Sequence, residues 1–351
     1  MSTREKPSND DSPEPTVTAR PSKRGLRRAD RIIIAMLVVF LVGALSGVAW
    51  LYHTTFGKIE TIQASTVFED YADRPQAATA KPGQEAPLNI LLLGSDTRAS
   101  DETLLDSVGA RADAILVVHI SGDRQHIEIV SIMRDMWVEV PGYGMNKINA
   151  AMSYGGTALL TRTVEGLINT RIDHVALVDF QGFKEMTNAL GGVTLDNPIA
   201  FSTTPSPEFP QVYQFKQGTI TVSGDAALAY VRERYAFPDN DFQRVRNQQA
   251  FLKGLLTGMR DHANPGQLSS LTAFAQSLSQ HIAIDDSFTL AQATELASTL
   301  SSLEASALVS LTFPVSGSGV VDGQSVVFID EAKADALAQA FASDALSSYE
   351  R

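Results

Sequence analysis

The chain has 351 residues, of which 44% are hydrophobic and 19% charged, as is ordinary for a protein that buries a packed core. It contains no cysteine, so disulfide bonds, thiolate metal sites and cysteine nucleophiles are excluded. The formal net charge is -12, although the first 31 residues hold eight basic and five acidic side chains. The remainder is therefore strongly acidic, which argues against nucleic acid as a partner, because such affinity comes largely from neutralised phosphates.

An uncharged apolar segment of 21 residues occupies positions 32–52 and is long enough to cross a bilayer as a helix. Six Lys or Arg side chains lie just before it, so the positive-inside rule places the N-terminus in the cytoplasm and the rest outside the cell. A cleaved signal peptide is the alternative, but such peptides have shorter apolar regions. We predict a retained single-pass anchor in the cytoplasmic membrane, preceded by a disordered basic tail (1–31).

After a predicted stalk (53–87), the spacing of apolar residues predicts both strands and helices. Strands are predicted at 88–93, 114–120, 126–132, 136–140, 175–178, 307–314 and 324–329. Helices are predicted at 158–170, 180–190, 225–231, 241–259, 273–281, 290–303 and 331–341. The second and third strands are expected to form a hairpin, and 197–217 a long loop. Such a mixture predicts an α/β or α+β sandwich.

Arginine and aspartate residues flank the first three predicted strands, where ligand sites of α/β sheets commonly assemble. They are Asp96 and Arg98 after the first strand, Arg111 and Asp113 before the second, and Arg134 and Asp135 after the third. Guanidinium groups bind two phosphate oxygens at once, and carboxylates among them suit Mg²⁺. An ordinary surface salt-bridge network is the alternative interpretation.

Four further arginines lie at positions 232, 234, 244 and 246. Arg244 and Gln248 are four residues apart and share one face of their predicted helix. Arg232 and Arg234 lie on one side of the chain only if it is extended, so the helix at 225–231 must end before them if both bind the ligand. The six histidines have no metal-ligand spacing, and no phosphate loop or nucleophile elbow is present.

Six ordered sequence blocks carry a family resemblance. They are NILLLGSDTR (89–98), RADAILVVHI (111–120), IVSIMRDMWVEVPGYGMNKINAAMSYGG (129–156), IDHVALVDFQGFKEMTNALGGV (172–193), SGDAALAYVRERY (223–235) and DFQRVRNQQAFL (241–252). In these blocks and in its anchor topology the chain resembles the LytR-CpsA-Psr family. The segment VDGQSVVFID (321–330) resembles the extended form of actinobacterial members.

The resemblance implies an α/β fold, an α-β-α sandwich with a mixed central sheet, preceded by one transmembrane helix. It implies a catalytic domain over 88–260 and a C-terminal α/β extension (261–351) that packs on it. The implied activity is a Mg²⁺-assisted phosphotransferase that moves a glycopolymer phosphate from a polyprenyl-pyrophosphate carrier to a cell wall acceptor, a peptidoglycan hydroxyl. Transfer to a cell-surface protein instead of peptidoglycan is an alternative that the sequence leaves open. A non-catalytic polyprenyl-phosphate-binding or regulatory wall protein is the rival reading.

Individual roles follow from the matched motifs. Asp96 and Asp113 match the metal-associated acids, and Arg111, Arg134, Arg232, Arg234 and Arg244 match the pyrophosphate-binding arginines, with Gln248 beside them. Arg98, Asp135, Lys147 and Asn149 also fall in the site motifs. Asp96, Arg134 and Asp135 are the expected catalytic residues. Asn247 stands where relatives often have arginine, so Arg246 is assigned no substrate role.

Overall fold

The computed structural model describes residues 60–69, 71–95, 112–205, 210–238, 241–262, 281–289, 291–292, 295–296, 299 and 307–349. All of them belong to one compact unit, Tyr52–Arg351. The predicted tail and anchor lie outside the described residues, as do Asp96, Arg98 and Arg111 and most of the two helices predicted between 273 and 303. Within the described ranges, no helix combines the length and apolar character needed to span a bilayer.

Strands and helices alternate along the described chain. The strands are β1 (Glu60–Ile62), β2 (Leu88–Ser95), β3 (Ala112–Ile120), β4 (Ile127–Ile132), β5 (Trp137–Val140), β6 (Gly144–Lys147), β7 (His174–Asp179), β8 (Val193–Asn197), β9 (Phe201–Ser202), β10 (Gln214–Phe215), β11 (Gly218–Val222), β12 (Ile282–Asp285), β13 (Leu308–Thr312), β14 (Val315–Val321) and β15 (Gln324–Ile329). The helices are α1 (Ala64–Val67), α2 (Ile148–Ile168), α3 (Phe180–Ala189), α4 (Gly224–Arg232), α5 (Asp241–His262) and α6 (Glu331–Ala342), followed by a 3-10 helix (Leu346–Ser348).

A seven-stranded mixed sheet lies at the centre, with the strand order β1-β12-β7-β2-β3-β4-β13. β2, β3 and β4 are antiparallel neighbours, while β7 runs parallel to β2 and β13 parallel to β4. The predicted β3–β4 hairpin and the mixed central sheet are thus confirmed. β1 comes from the predicted stalk, and β12 and β13 come from the predicted C-terminal extension. The sheet therefore continues across both predicted domain boundaries, the one between residues 87 and 88 and the one between residues 260 and 261.

Both faces of the sheet are covered, as β4 shows most directly. All six of its residues are buried. Val130 and Ile132 point into a core that they share with residues of α2 and α6. Ile127 and Ile129 point the opposite way, into a cluster with Leu252 of α5. Because burial of each such side chain contributes about 1.5–3 kcal/mol, these four apolar side chains, two on each face, hold the strand at the centre of the fold.

Helix α2 begins ten residues before the helix predicted from apolar spacing. It consists of two helical stretches joined at a kink, where Gly155 and Gly156 leave helical geometry and Gly156 has φ +63°. A glycine suits this position because a side chain strains the left-handed region. The first stretch buries Ile148, Ala151 and Met152 and directs neighbouring polar residues to solvent. Its apolar positions are too few to predict a helix from spacing alone.

The segment before β2 is fastened to α2 through a buried acid. Glu165 accepts hydrogen bonds from the Tyr71 hydroxyl at 2.6 Å and from Arg74 Nη2 at 3.0 Å. It also accepts from the backbone N–H of Ile172 at 2.9 Å. Burial, together with this acid, raises the pKa of Tyr71 far above its ordinary value, so the hydroxyl keeps its proton and remains a donor. Residues of the predicted stalk are thereby part of the folded body.

A second buried acid makes folding stability depend on pH. Glu128 of β4 is 1% exposed, and neither carboxylate oxygen has a hydrogen-bond partner among the described residues. Burial, with smaller contributions from Asp344 and Asp123, raises its pKa from 4.5 to about 7. Between these two values the folded state holds a proton that the unfolded state has lost, so the free energy of unfolding decreases as pH rises. The decrease across that window is about 3 kcal/mol.

Glu128→Gln is expected to remove most of this dependence, because the amide cannot ionise. The variant should be more stable than the wild type above pH 7 and should lose less stability between pH 5 and pH 8. Guanidinium chloride unfolding at the two pH values measures the difference. An unchanged slope of stability against pH would show that Glu128 is ionised in the fold.

Candidate active site

The register of the β3–β4 pair brings Asp113 and Arg134 together. Ile115 of β3 lies opposite Ile132 of β4. In an antiparallel pair, the residue two places before one partner faces the residue two places after the other, so Asp113 is placed opposite Arg134. The end of β2 lies at the same edge, since Ser95 pairs with Ala112. The start of β3 and the ends of β2 and β4 thus form one edge of the sheet.

Five charged side chains form a continuous network at this edge. Arg134 Nη1 donates to Asp113, whose other oxygen lies 3.4 Å from Arg232 Nη2. Arg134 Nε lies 3.5 Å from Asp135, and Asp135 lies 3.1 Å from Lys147 Nζ. Each of these side chains is mostly buried. Three cations with two carboxylates leave a positive excess, which suits an anionic ligand with several acceptor oxygens.

Arg232 and Arg234 reach the site from different backbone conformations. Helix α4 continues through Arg232 and ends at Glu233, whose φ of -62° and ψ of 131° are extended. The spacing of Arg232 and Arg234 required this helix to end before Arg232 if both arginines bind the ligand, but the helix includes Arg232. The Arg232 guanidinium lies over the ring of Phe180, 4.5 Å from its centroid, and Arg234 lies at the same distance over Tyr235. The two arginines serve one region all the same, because Arg232 pairs with Asp113 and Arg234 lines the adjoining cavity.

A cavity of about 870 Å³ lies beside this network. Its lining comprises Arg134, Asp135, Asn146, Lys147, Asn149, Ala150, Ser153, Tyr154, Arg234, Tyr235, Pro238, Phe242, Ser318, Gln324, Ser325 and Val327. Such a volume falls in the range of small-molecule and cofactor sites. Five of the residues singled out from the sequence, Arg134, Asp135, Lys147, Asn149 and Arg234, are brought together here.

Other predicted residues lie elsewhere in the fold. Gln248 donates from its amide to the carbonyl of Val231 at 3.3 Å, one residue before Arg232. Arg244, one turn earlier on α5, is 5% exposed. Neither Arg244 nor Gln248 is among the described residues that line the cavity, so the substrate contacts of these two residues stay predictions. Arg246 donates to the side chain of Gln243 on its own helix.

Oxygen donors for a hard cation are present, although only part of the expected set is described. Mg²⁺ is typically held by one or two carboxylates together with substrate phosphates. Asp113 and Asp135, both paired with Arg134, fit that chemistry. In the described part of the chain, no group of three or more His, Cys, Asp or Glu side chains is close enough to hold a metal by itself. The second predicted metal ligand, Asp96, follows β2 in the sequence and lies outside the described residues.

Several lining residues were missed by sequence reasoning. Tyr154 and Asn146 belong to the same sequence block as Lys147 and Asn149, and two tyrosines flanking that pair are a signal that could have found them. The hairpin residues Ser318 and Ser325 had no such signal. Val327 N–H donates to the Asp135 carbonyl at 2.9 Å, which holds their hairpin beside the cavity. This contact joins segments that are far apart in the chain.

Comparisons with known proteins identify the family to which this fold belongs. The model of the LytR_cpsA_psr family matches residues 54–343. A polyisoprenyl-teichoic acid–peptidoglycan teichoic acid transferase, TagU of Bacillus licheniformis, is 29% identical over 244 residues, which are 69% of this chain and 72% of the relative.

Two solved structures share the fold. Protein gbs0355 from Streptococcus agalactiae matches with a TM-score of 0.64 and 21% identity, over 76% of this chain and 89% of its own. The structure of TagT bound to LI-WTA matches with a TM-score of 0.58 and 24% identity, over 78% of this chain and 96% of its own. With a family match over most of its length and this shared fold, the chain belongs to the LytR-CpsA-Psr family.

Proposed function

We propose that this protein transfers a glycopolymer phosphate from a polyprenyl-pyrophosphate carrier to a cell wall acceptor, a hydroxyl of peptidoglycan. The observation that carries the proposal is the convergence of Arg134, Arg234 and Lys147 on one cavity, beside the pair formed by Asp113 and Arg232. Partly buried cations with planar or multiple donors suit a diphosphate. The TagU relative is named for transfer of teichoic acid from a polyisoprenyl carrier to peptidoglycan, which supports the same classes of donor and acceptor.

In the proposed reaction, the acceptor hydroxyl oxygen attacks the phosphorus that bears the polymer. The bond from that phosphorus to the bridging oxygen breaks, and the carrier leaves as polyprenyl phosphate. Asp135 lines the cavity and accepts the proton that the hydroxyl loses. Arg134 and Arg234 neutralise charge on the phosphoryl oxygens, since positioning and charge stabilisation supply most of the catalysis in such transfers.

Mg²⁺ is the metal that we propose for this site, held by the carboxylates of Asp113 and Asp96. When bound, it supplies further neutralisation of phosphate charge. Asp113 lies between Arg134 and Arg232 in the charged network, so a metal held there would lie beside two of the proposed phosphate-binding arginines.

The proposed location is the outer side of the cytoplasmic membrane, with the segment 32–52 as the anchor. A lipid-linked donor is confined to a bilayer, and an anchored enzyme meets it in the same plane. Because the donor carries its own pyrophosphate bond, the transfer requires no nucleotide triphosphate outside the cell.

A transfer assay with the full-length chain tests the proposal directly. The protein is incubated with polyprenyl-pyrophosphate-linked polymer, Mg²⁺ and purified peptidoglycan, and mass spectrometry of muramidase digests detects the new phosphodiester. Retention of the donor without turnover would identify a non-catalytic binding protein instead. A parallel incubation contains a cell-surface protein extract as a second acceptor, and product found only on that protein would reassign the acceptor.

Asp113→Asn is expected to lower kcat/KM for transfer by about a hundredfold, because the amide cannot orient Arg134 and Arg232 by charge. The Mg²⁺ concentration for half-maximal rate should rise as well. Asp196→Asn, a substitution of the same kind on the exposed side of β8, is the matched control. Wild-type kcat/KM in the Asp113 variant would remove this residue from the site.

A further inference from the structure

Two exposed tyrosines stack on each other at the rim of the cavity. The rings of Tyr143 and Tyr154 stack with centroids 4.6 Å apart and an interplanar angle of 17°. Tyr143 is 54% exposed and Tyr154 is 43% exposed, so part of each ring remains open to solvent although the two rings cover each other on one face. The Asn146 amide donates to the Tyr154 hydroxyl at 3.1 Å and holds that ring in place. Tyr154 and Asn146 both line the cavity.

Another part of the lining is a hairpin with neutral polar side chains. In the β14–β15 pair, Ser318 lies opposite Val327 and Val320 opposite Ser325, so these side chains share one face. Ser318, Ser325 and Val327 of that face line the cavity, and Gln324 joins them. The hairpin is joined to the segment between β4 and β5 through the Val327–Asp135 backbone hydrogen bond.

The cavity thus combines two kinds of lining. Arg134, Lys147 and Arg234 suit phosphate, whereas the tyrosine stack and the hairpin offer an aromatic face, hydroxyls and an amide without formal charge. A cavity of about 870 Å³ also exceeds the needs of a diphosphate alone. Saccharides combine apolar C–H faces, which pack on aromatic rings, with hydroxyls that pair with amide and hydroxyl groups. The neutral part of the lining matches such a ligand.

We propose that the Tyr143–Tyr154 stack and the β14–β15 hairpin form the subsite that binds the glycan of the acceptor. This inference rests on the proposed function and adds a location for the acceptor to it. A saccharide ring packed on the stack would present its hydroxyl to the cavity that Asp135 and Arg134 line. The saccharide of the donor polymer has the same chemistry, so the test must separate the two sources.

The first measurement requires no catalysis. Isothermal titration calorimetry with the full-length chain and soluble peptidoglycan glycan oligosaccharides should show binding that weakens about tenfold in Tyr154→Ala and in Tyr143→Ala. Tyr154→Phe keeps the ring and should bind within about threefold of the wild type. Equal affinity in the wild type and both alanine variants would overturn the proposal. Tyr143 is exposed on a turn, so its variant is informative even if Tyr154→Ala fails to fold.

The second measurement compares KM values in the transfer assay. The ratio of the KM for acceptor to the KM for donor should rise about tenfold in both alanine variants. A fall in that ratio, caused by a higher donor KM, would place the donor polymer on the stack and overturn the acceptor assignment. Glycan binding that depends on both tyrosines in a chain that never consumes donor would sustain the saccharide subsite while the proposed transfer fails. Normal transfer with an unchanged ratio of the two KM values would support the proposed function and contradict the saccharide subsite.

Discussion

Replacing Arg134 with alanine is expected to lower kcat for polymer transfer by about a thousandfold, while the protein remains folded. The guanidinium lies in the centre of the charged network, where it contacts Asp113 and Asp135 and lines the cavity. Removal of one arginine that stabilises a phosphoryl transition state commonly costs three to five orders of magnitude. Asp113 keeps its pair with Arg232, and Asp135 keeps its pair with Lys147, so neither acid is left without a cation.

Two further variants separate charge from geometry. Arg134→Lys retains the charge but loses the planar pair of donors, and it should recover only a small part of the rate. Arg246→Ala removes the same charge from the exposed side of α5 and should transfer at the wild-type rate. Transfer by Arg134→Ala at more than a tenth of the wild-type rate would contradict the role assigned to this residue.

Glu165→Ala is expected to lower the free energy of unfolding by about 3–5 kcal/mol, the range measured when one partner of a buried ion pair is removed. The Arg74 side chain is 5% exposed and loses its only carboxylate among the described residues. It keeps two backbone carbonyls at 3.3 Å, which do not neutralise the charge. Tyr71 and the Ile172 N–H lose their acceptor as well.

Guanidinium chloride unfolding measures this loss, with Glu139→Ala on the exposed side of β5 as the control. The double variant Glu165→Leu with Arg74→Met should recover much of the stability, because it removes both buried charges together. A loss below about 1 kcal/mol in Glu165→Ala would show that the segment before β2 contributes little to the fold.

The central strands and the charged residues at their ends were predictable because both signals are local. Short segments rich in apolar residues mark β2, β3 and β4, and the Asp113–Arg134 pair then follows from a short hairpin and its register. The edge strands were not predictable in the same way. β1 and β12 have three and four residues, and each becomes a strand only through pairing with a distant partner.

Much of the cavity wall depends on the same kind of distant contact. The β14–β15 strands were only half predicted, since the small residues of 315–321 have weak strand preference. Nothing in their sequence indicates that Val327 docks on the backbone beside Met136. The kink at Gly155 and Gly156 similarly interrupts the helical spacing of apolar residues, so the sequence did not predict the helical turn that carries Tyr154. Family motifs pointed to the phosphate-binding half of the site, whereas the neutral half required the three-dimensional arrangement.

The parallel pairing of β13 with β4 has a consequence for how the chain acquires its structure. β4 is buried on both sides, and among the described residues the backbone groups of its outer edge pair with residues 308–313. Until that late segment arrives, the strand that carries Arg134 at its end presents open backbone donors and acceptors, the arrangement that invites pairing with another chain. Contacts of such long sequence separation slow folding. We therefore expect β4, the strand that leads into the active site, to be the part of the nascent protein that stays prone to aggregation for the longest time.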